Sequence, residues 1–229
     1  LLFWCSIILS LYCSFKAKKY GNAPWNDILF LLSSWPAFNL GIWHKYLYLY
    51  ANISEGLAFP LAALILVTIS LIFIERRGIK LHPINSPAKD IFCAAKWLII
   101  TATVLISFGF FLKFIQWNPK TDPNFILKEA VSYFTLVATT EELIFRAIIF
   151  NLLNKKFADW PALILTSILF SLTPSHIAGH GIFPNWPYVG MAFVAGFFYI
   201  LSYRESKNIL VPIFLHGSTD TLWKIFFRL

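Results

Sequence analysis

The sequence predicts an all-α, polytopic membrane protein built as a bundle of about eight transmembrane helices. Of its 229 residues, 58% are hydrophobic and only 13% are charged, whereas soluble domains are about 45–50% apolar and about 25% charged. The apolar residues form long segments, and about 20 of them in a helix cross a bilayer. The lysines and arginines collect in alternate loops between these segments, which is typical of multi-pass membrane proteins.

Eight apolar segments account for most of the chain. They are residues 1–15, 27–50, 57–74, 91–115, 125–153, 161–172, 189–203 and 209–229. The second is interrupted by polar residues and a proline, and the fifth is longer than a bilayer requires. We find no internal repeat, soluble domain boundary or low-complexity linker. We therefore expect a single integral-membrane domain over residues 1–229, in which residues 1–124 supply the N-terminal helices.

The positive charge belongs to short loops rather than to a surface that could bind nucleic acid. The formal net charge is +8, but no basic helix or basic-aromatic module accompanies it. The positive-inside rule places the basic loops in the cytoplasm, and the lipid bilayer, not nucleic acid, is the expected partner. The basic loops are 16–20, 75–89, 155–156 and 204–207, and they alternate with loops 51–56, 116–124 and 173–187, which are poor in positive charge.

The fifth segment contains two adjacent carboxylates and an arginine, Glu141, Glu142 and Arg146. An ionised group at the centre of a membrane helix costs about 2.5–3.5 kcal/mol, so three of them require an explanation. Glu142 and Arg146 are four residues apart and can pair on one helical face, while Glu141 is rotated from Glu142 by about 100°. A structural ion pair would explain Glu142 and Arg146. That ion pair does not involve Glu141, which stays available to act in a reaction.

Matching polar residues follow in the C-terminal segments. His216 and Asp220 are four residues apart and share a helical face. His176 and His180 follow the apolar segment that ends at Leu172. Together with the glutamates of the fifth segment, these histidines and this aspartate place all the candidate site residues in the C-terminal half of the chain.

In this order and spacing, the motifs resemble those of the CPBP family. This is the CAAX protease and bacteriocin-processing (Abi) family of glutamate-type intramembrane endopeptidases, which includes the type II CAAX prenyl endopeptidases. The resemblance covers residues 125–229, the expected catalytic core. The family has Phe-x-x-x-His as its second motif, whereas Phe170 precedes His176 by six residues here. His180 therefore stays an alternative to His176.

The resemblance implies a role for each of these residues. Glu141 would be the base that activates water, with His176 and His216 around that water. Asp220 would lie near the oxyanion, and Glu142 and Arg146 would form a supporting pair. The implied substrate is a membrane-associated peptide or lipid-modified protein, and the implied location is the bacterial plasma membrane.

Other chemistries fit the sequence less well. No serine near the histidines lies in a Gly-x-Ser-x-Gly elbow. A zinc protease could use two histidines and a glutamate, and His176 and His180 have the spacing of helical ligands. However, His-Glu-x-x-His is missing and Gly179 disfavours a helix there. Mainly because the resemblance implies metal-free glutamate catalysis, we expect no metal or other cofactor, with zinc as the alternative.

Two non-enzymatic functions complete the alternatives. A proton-coupled transporter would also bury carboxylates and histidines, but it often shows repeat symmetry, and here the polar residues gather in one half. A catalytically silent membrane scaffold of the same fold would more naturally have lost one of the site residues.

Overall fold

The structure, a computed structural model, describes residues 47–49, 51, 53–81, 86–173 and 185–228. The first predicted segment and most of the second lie outside the described residues, as do His176 and His180. The described part is mainly helical. Beyond the short piece at 47–49, its helices are α1 (Glu55–Arg76), α2 (Pro87–Phe111), α3 (residues 123–154), α4 (Asp159–Ser171), α5 (Trp186–Ser206) and α6 (Leu210–Phe226).

Prolines and short polar side chains mark the helix starts. Asp122 precedes α3 and its carboxylate accepts a hydrogen bond from the backbone N–H of Asn124 at 3.0 Å, with Pro123 in the first helical turn. Asn185 precedes α5, and its side chain accepts from the Tyr188 N–H at 3.3 Å. Such caps satisfy backbone donors that have no partner within the helix.

The winding of α3 changes along its length. The α-helical pieces Pro123–Ser132, Thr139–Glu142 and Asn151–Asn154 alternate with π-helical Tyr133–Ala138 and Leu143–Phe150. The Thr139 hydroxyl donates to the Phe134 carbonyl at 2.7 Å. The Asn151 amide donates to the Arg146 and Ala147 carbonyls at 3.2 and 2.9 Å. These side chains satisfy carbonyl groups where the regular hydrogen-bond ladder is altered, and the two glutamates lie on the short α-helical turn between the π-helical pieces.

The second half of α3 is the centre of the bundle. Every residue from Leu143 to Phe150 is buried, and α1, α4 and α5 all contact this piece. A helix that is apolar on all sides requires neighbours on all sides. Arg146 is therefore enclosed by protein rather than exposed to lipid.

The outer helices present apolar side chains outwards. Ile91, Phe92 and Ile99 on α2 are each more than two-thirds exposed, as expected for a surface that contacts lipid tails. Among the described residues, α1, α2 and α5 are each long and apolar enough to span a membrane. The mainly helical membrane fold is thus supported, but eight spans are not confirmed. With 13 residues, α4 is shorter than the roughly 20 that cross a bilayer.

Polar contacts connect the helices at the end of the bundle that carries the basic loops. Lys96 on α2 pairs with Glu205 near the end of α5 at 2.5 Å, and the Trp97 indole donates to the same carboxylate at 2.9 Å. Arg204 on α5 pairs with Asp159 at the start of α4. These contacts place the start of α2, the start of α4 and the end of α5 together.

A short β-ribbon lies at the opposite end. Strand β1 (Gln116–Trp117) pairs antiparallel with β2 (Phe227–Arg228). The sequence predicted a polar turn at residues 116–124 and a last helix reaching residue 229. That prediction was wrong at its end, because α6 stops at Phe226 and the chain continues extended to make this pairing.

Candidate active site

Helices α3 and α6 bring five of the predicted site residues together. The side chains are Glu141, Glu142, Arg146, His216 and Asp220. The α-helical turn of α3 supplies the two glutamates, and the His216 and Asp220 spacing on α6 directs both side chains to the same face. The structure thus gathers residues that are far apart in the sequence.

The predicted ion pair between Glu142 and Arg146 is present. Arg146 Nη1 lies 2.9 Å from Glu142 Oε1, and both side chains are fully buried. The contact is an ion pair rather than an aligned hydrogen bond, and Arg146 Nη2 donates to the Gly196 carbonyl of α5 at 3.2 Å. Arg146 therefore links α3 to α5, and its charge is balanced within the bundle.

Three carboxyl groups surround the His216 imidazole. Its Nδ1 lies 2.7 Å from Glu142 Oε1, and its Nε2 lies 3.2 Å from Asp220 Oδ2 and 3.8 Å from Glu141 Oε2. The contact at Nδ1 is a hydrogen bond, and those at Nε2 are ion-pair distances. His216 is therefore held at one nitrogen and faces two carboxyl groups with the other.

This arrangement refines the expectation that the two glutamates face different partners. Glu142 points to Arg146 and also to His216, whereas Glu141 has no partner as close as these among the residues that the structure describes. Both glutamates reach the same imidazole because its two nitrogens lie on opposite sides of the ring. Glu141 is only 4% exposed.

A cavity of about 250 Å³ opens beside Glu141, His216 and Asp220. This volume exceeds the roughly 30 Å³ that a water molecule occupies in the liquid, so water and part of a substrate fit together. The remaining wall is largely apolar and aromatic. It consists of Leu105, Tyr133, Val137, Phe170, Tyr188, Met191, Ala192, Ala195, Tyr199, Thr219 and Trp223.

Aromatic rings enclose His216 and Arg146. The sequence analysis noted Phe170 in the second motif, but it did not single out Tyr199. The Tyr199 ring stacks on the His216 ring with centroids 4.6 Å apart and planes at 22°. Phe170 meets His216 edge-on at 5.9 Å and lies under the Arg146 guanidinium at 4.5 Å. The signal in the sequence is weak, since α5 contains many aromatic residues. The small residues Ala192 and Ala195 lie on the same helical face as Tyr199. They were the sequence feature that could have indicated that this face lines a cavity.

The described residues leave part of the site untested. His176 and His180, the candidates for a second histidine, lie outside them. Within the described ranges, no group of three or more His, Cys, Asp and Glu side chains is arranged to bind a metal ion. A metal-free site stays a prediction, because the missing histidines could complete a set of ligands.

Comparison with known proteins finds a family that the C-terminal half of the chain is similar to. The model for type II CAAX prenyl endopeptidase Rce1-like proteins matches residues 123–222. The match begins at the first residues of α3 and ends just past Asp220 on α6, so it contains every residue of the cluster. This half of the chain is therefore similar to the Rce1-like family. The division of the chain into N-terminal helices at 1–124 and a catalytic core at 125–229 stays a prediction.

A curated relative extends the similarity beyond the Rce1-like core. The chain is 23% identical over 192 residues to an uncharacterized 24.3 kDa protein of Escherichia coli, covering 78% of this chain and 84% of that protein. The similarity therefore includes N-terminal helices as well as the core. No solved structure matches the chain.

Proposed function

We propose that this Rce1-like protein is an intramembrane endopeptidase that cleaves a peptide bond in a membrane-associated protein or peptide. The observation that supports it is the cluster of Glu141, His216 and Asp220 on one wall of a cavity within an apolar bundle. Glu141 and His216 are buried, and burial of two such groups is costly. A catalytic role explains why the protein tolerates this loss of stability, because the groups can act on a substrate in the cavity.

Glu141 is the proposed general base. Its carboxylate lines the cavity and is not occupied by Arg146, so it can accept a proton from a water molecule. The resulting hydroxide attacks the carbonyl carbon of the substrate, forming a C–O bond and a tetrahedral oxyanion. The C–N bond then breaks, and the proton on Glu141 passes to the leaving amine. The products are a carboxylic acid and an amine, and no cofactor is consumed.

His216 and Asp220 are the proposed neighbours of the oxyanion. The His216 Nε2 side faces both Glu141 and Asp220, so an N–H there can donate to a developing negative charge. Asp220 lies 3.2 Å from the same nitrogen and, as an ionised carboxylate, accepts only, so its proposed role is to hold the Nε2–H beside the oxyanion. Glu142 holds the other nitrogen of the ring and thereby its orientation.

The test is cleavage by purified wild-type protein and by the Glu141→Gln variant. The probes are a mixture of apolar peptides and a farnesylated CAAX peptide, with product masses as the readout. We expect Glu141→Gln to abolish cleavage and to stay folded, since Gln keeps the size of Glu but cannot take the proton. The matched control is Glu129→Gln, the same change on the same helix outside the cavity, which should cleave normally.

Each alternative gives a different result. An active Glu141→Gln variant would overturn the assignment of the base. Loss of cleavage with a chelator and recovery only with zinc would favour the zinc-dependent protease. A wild-type protein that binds the peptides but never cuts them would favour the silent scaffold.

A further inference from the structure

We infer that Tyr199 is a positioning residue that fixes the tilt of the His216 ring in the active site. The inference concerns the geometry of His216, and its consequence for the rate rests on the proposed function. The two rings are stacked at 4.6 Å between centroids with planes only 22° apart. Tyr199 is 1% exposed and belongs to α5, whereas His216 belongs to α6.

The polar contacts of His216 do not fix its orientation completely. Glu142 contacts Nδ1 at 2.7 Å and Asp220 contacts Nε2 at 3.2 Å. Both contacts lie at the edge of the ring, so a rotation about the line through the two nitrogens changes either distance little. A group against the ring face prevents that rotation. Tyr199 supplies this face contact, and Phe170 meets the ring edge-on at 5.9 Å.

Tyr199 can do this because it is itself fixed on several sides. The Arg146 guanidinium lies 5.2 Å from its ring centroid, and Phe170 packs edge-on at 6.3 Å. Its side chain lines the same cavity as the side chain of Thr219. Thr219 belongs to α6, like His216, so the tyrosine spans from the arginine to the helix that carries the histidine. A ring packed on several sides in this way is a rigid support.

Activity tests the consequence for catalysis. The Tyr199→Leu variant removes the flat ring and keeps an apolar side chain, and we expect kcat to fall about 100-fold, the typical effect of misplacing a reacting group by about 1 Å. KM should change less than kcat, because Tyr199 supplies only part of the cavity wall but stacks directly on the His216 ring. Tyr199→Phe keeps the stack and should retain most of kcat.

The matched control is Tyr203→Leu, one turn further along α5. Tyr203 is also buried, but its ring packs on Phe150 and its hydroxyl accepts from Asn151. This variant should lose stability without the specific loss of kcat. An equal loss of kcat in Tyr203→Leu, or a normal kcat in a folded Tyr199→Leu protein, would overturn the inference.

A spectroscopic readout separates this inference from the proposed function. The chain has five histidines, so the ¹⁵N imidazole signals of a labelled protein can be assigned to His216 with a His216→Gln variant. We expect Tyr199→Leu to broaden or shift the His216 signals, and Tyr203→Leu to leave them unchanged. If the wild type cuts no peptide but these shifts appear, the positioning role stands and the protease proposal fails. Unchanged His216 signals in Tyr199→Leu would refute the positioning role even in an active protease.

Discussion

At the scale of single residues, Glu142 has a wider role than a partner for Arg146. One of its oxygens contacts both Arg146 and the His216 Nδ1. The sequence indicated the first contact through the four-residue spacing. It could not indicate the second, because His216 is 74 residues away and its position depends on how α6 packs against α3.

Replacement of Glu142 by Gln should therefore affect both stability and activity. Arg146 would keep its charge in a fully buried position without a carboxylate, and unpairing a buried charge costs about 3–5 kcal/mol. We expect a clear fall in melting temperature, together with a lower cleavage rate in the protein that remains folded. Thermal unfolding in detergent and peptide cleavage measure the two effects.

Glu205→Gln is the control for this substitution. Glu205 pairs with Lys96 near the end of the bundle, where both side chains are substantially exposed. Exposed pairs contribute about 0–1 kcal/mol, so this variant should melt near the wild type. A Glu142→Gln protein as stable as Glu205→Gln would contradict the role assigned to the buried pair.

The sequence allowed some of these contacts to be predicted and not others. Local spacing was sufficient for Glu142 with Arg146 and for His216 with Asp220, because both pairs lie within one helical turn. Tyr199 was missed because a stacking ring resembles an ordinary core aromatic until its partner from another helix is known. No local pattern specifies that partner.

At the scale of elements, Gly196 sets the distance between α5 and the site. A Cβ at this position would lie 2.8 Å from Phe170 Cδ1 and 3.4 Å from Arg146 Nη2. The Gly196 carbonyl also accepts a hydrogen bond from Arg146. The absence of a side chain therefore lets α5 approach the arginine and the aromatic rings closely.

We expect Gly196→Ala to destabilise the protein by about 1–3 kcal/mol, the usual cost of overpacking. The control is Gly190→Ala on the same helix, where the nearest atom, Phe108 Cε1, lies at an ordinary 3.9 Å. That change should be neutral or stabilising by up to about 1 kcal/mol, since alanine favours helix. Chemical or thermal unfolding measures both, and equal stabilities for the two variants would refute the close approach.

The extent of each helix was predictable, but the winding of α3 was not. Apolar length and flanking polar residues placed α1, α2, α4 and α5 within a few residues of their observed ends. The π-helical pieces were missed because sequence patterns were compared with an α-helical period of about 3.6 residues. The ribbon of β1 and β2 was missed because a two-residue strand leaves no pattern.

At the scale of the whole molecule, the contacts at the two ends agree with the alternation of basic loops. The ion pairs of Lys96 and Arg204 lie with the basic loops, and the ribbon lies at the far end. The helices therefore run in alternating directions through the bundle. The assignment of the basic end to the cytoplasm remains a prediction from charge.

Thiol labelling in intact bacterial cells tests that assignment. A membrane-impermeant maleimide should react with a Thr121→Cys variant in intact cells and with a Lys80→Cys variant only after lysis. Both positions are exposed and lie in loops, and wild-type protein with its three natural cysteines gives the background. Labelling of both variants from the same side would contradict the predicted topology.

The changing winding of α3 also bears on how much the chain can vary in length. A π-helical turn contains more residues than the α-helical turn it replaces. Each π-helical piece can therefore lose a residue and rewind as α-helix without changing the residues on either side. Deleting one residue from 133–138 can be absorbed by a return to α-helical winding, with the glutamates still facing His216. The same deletion within 139–142 would turn one side of the motif by about 100° against the other. Natural variants that lack one residue should therefore have lost it in the π-helical pieces and not between the glutamates.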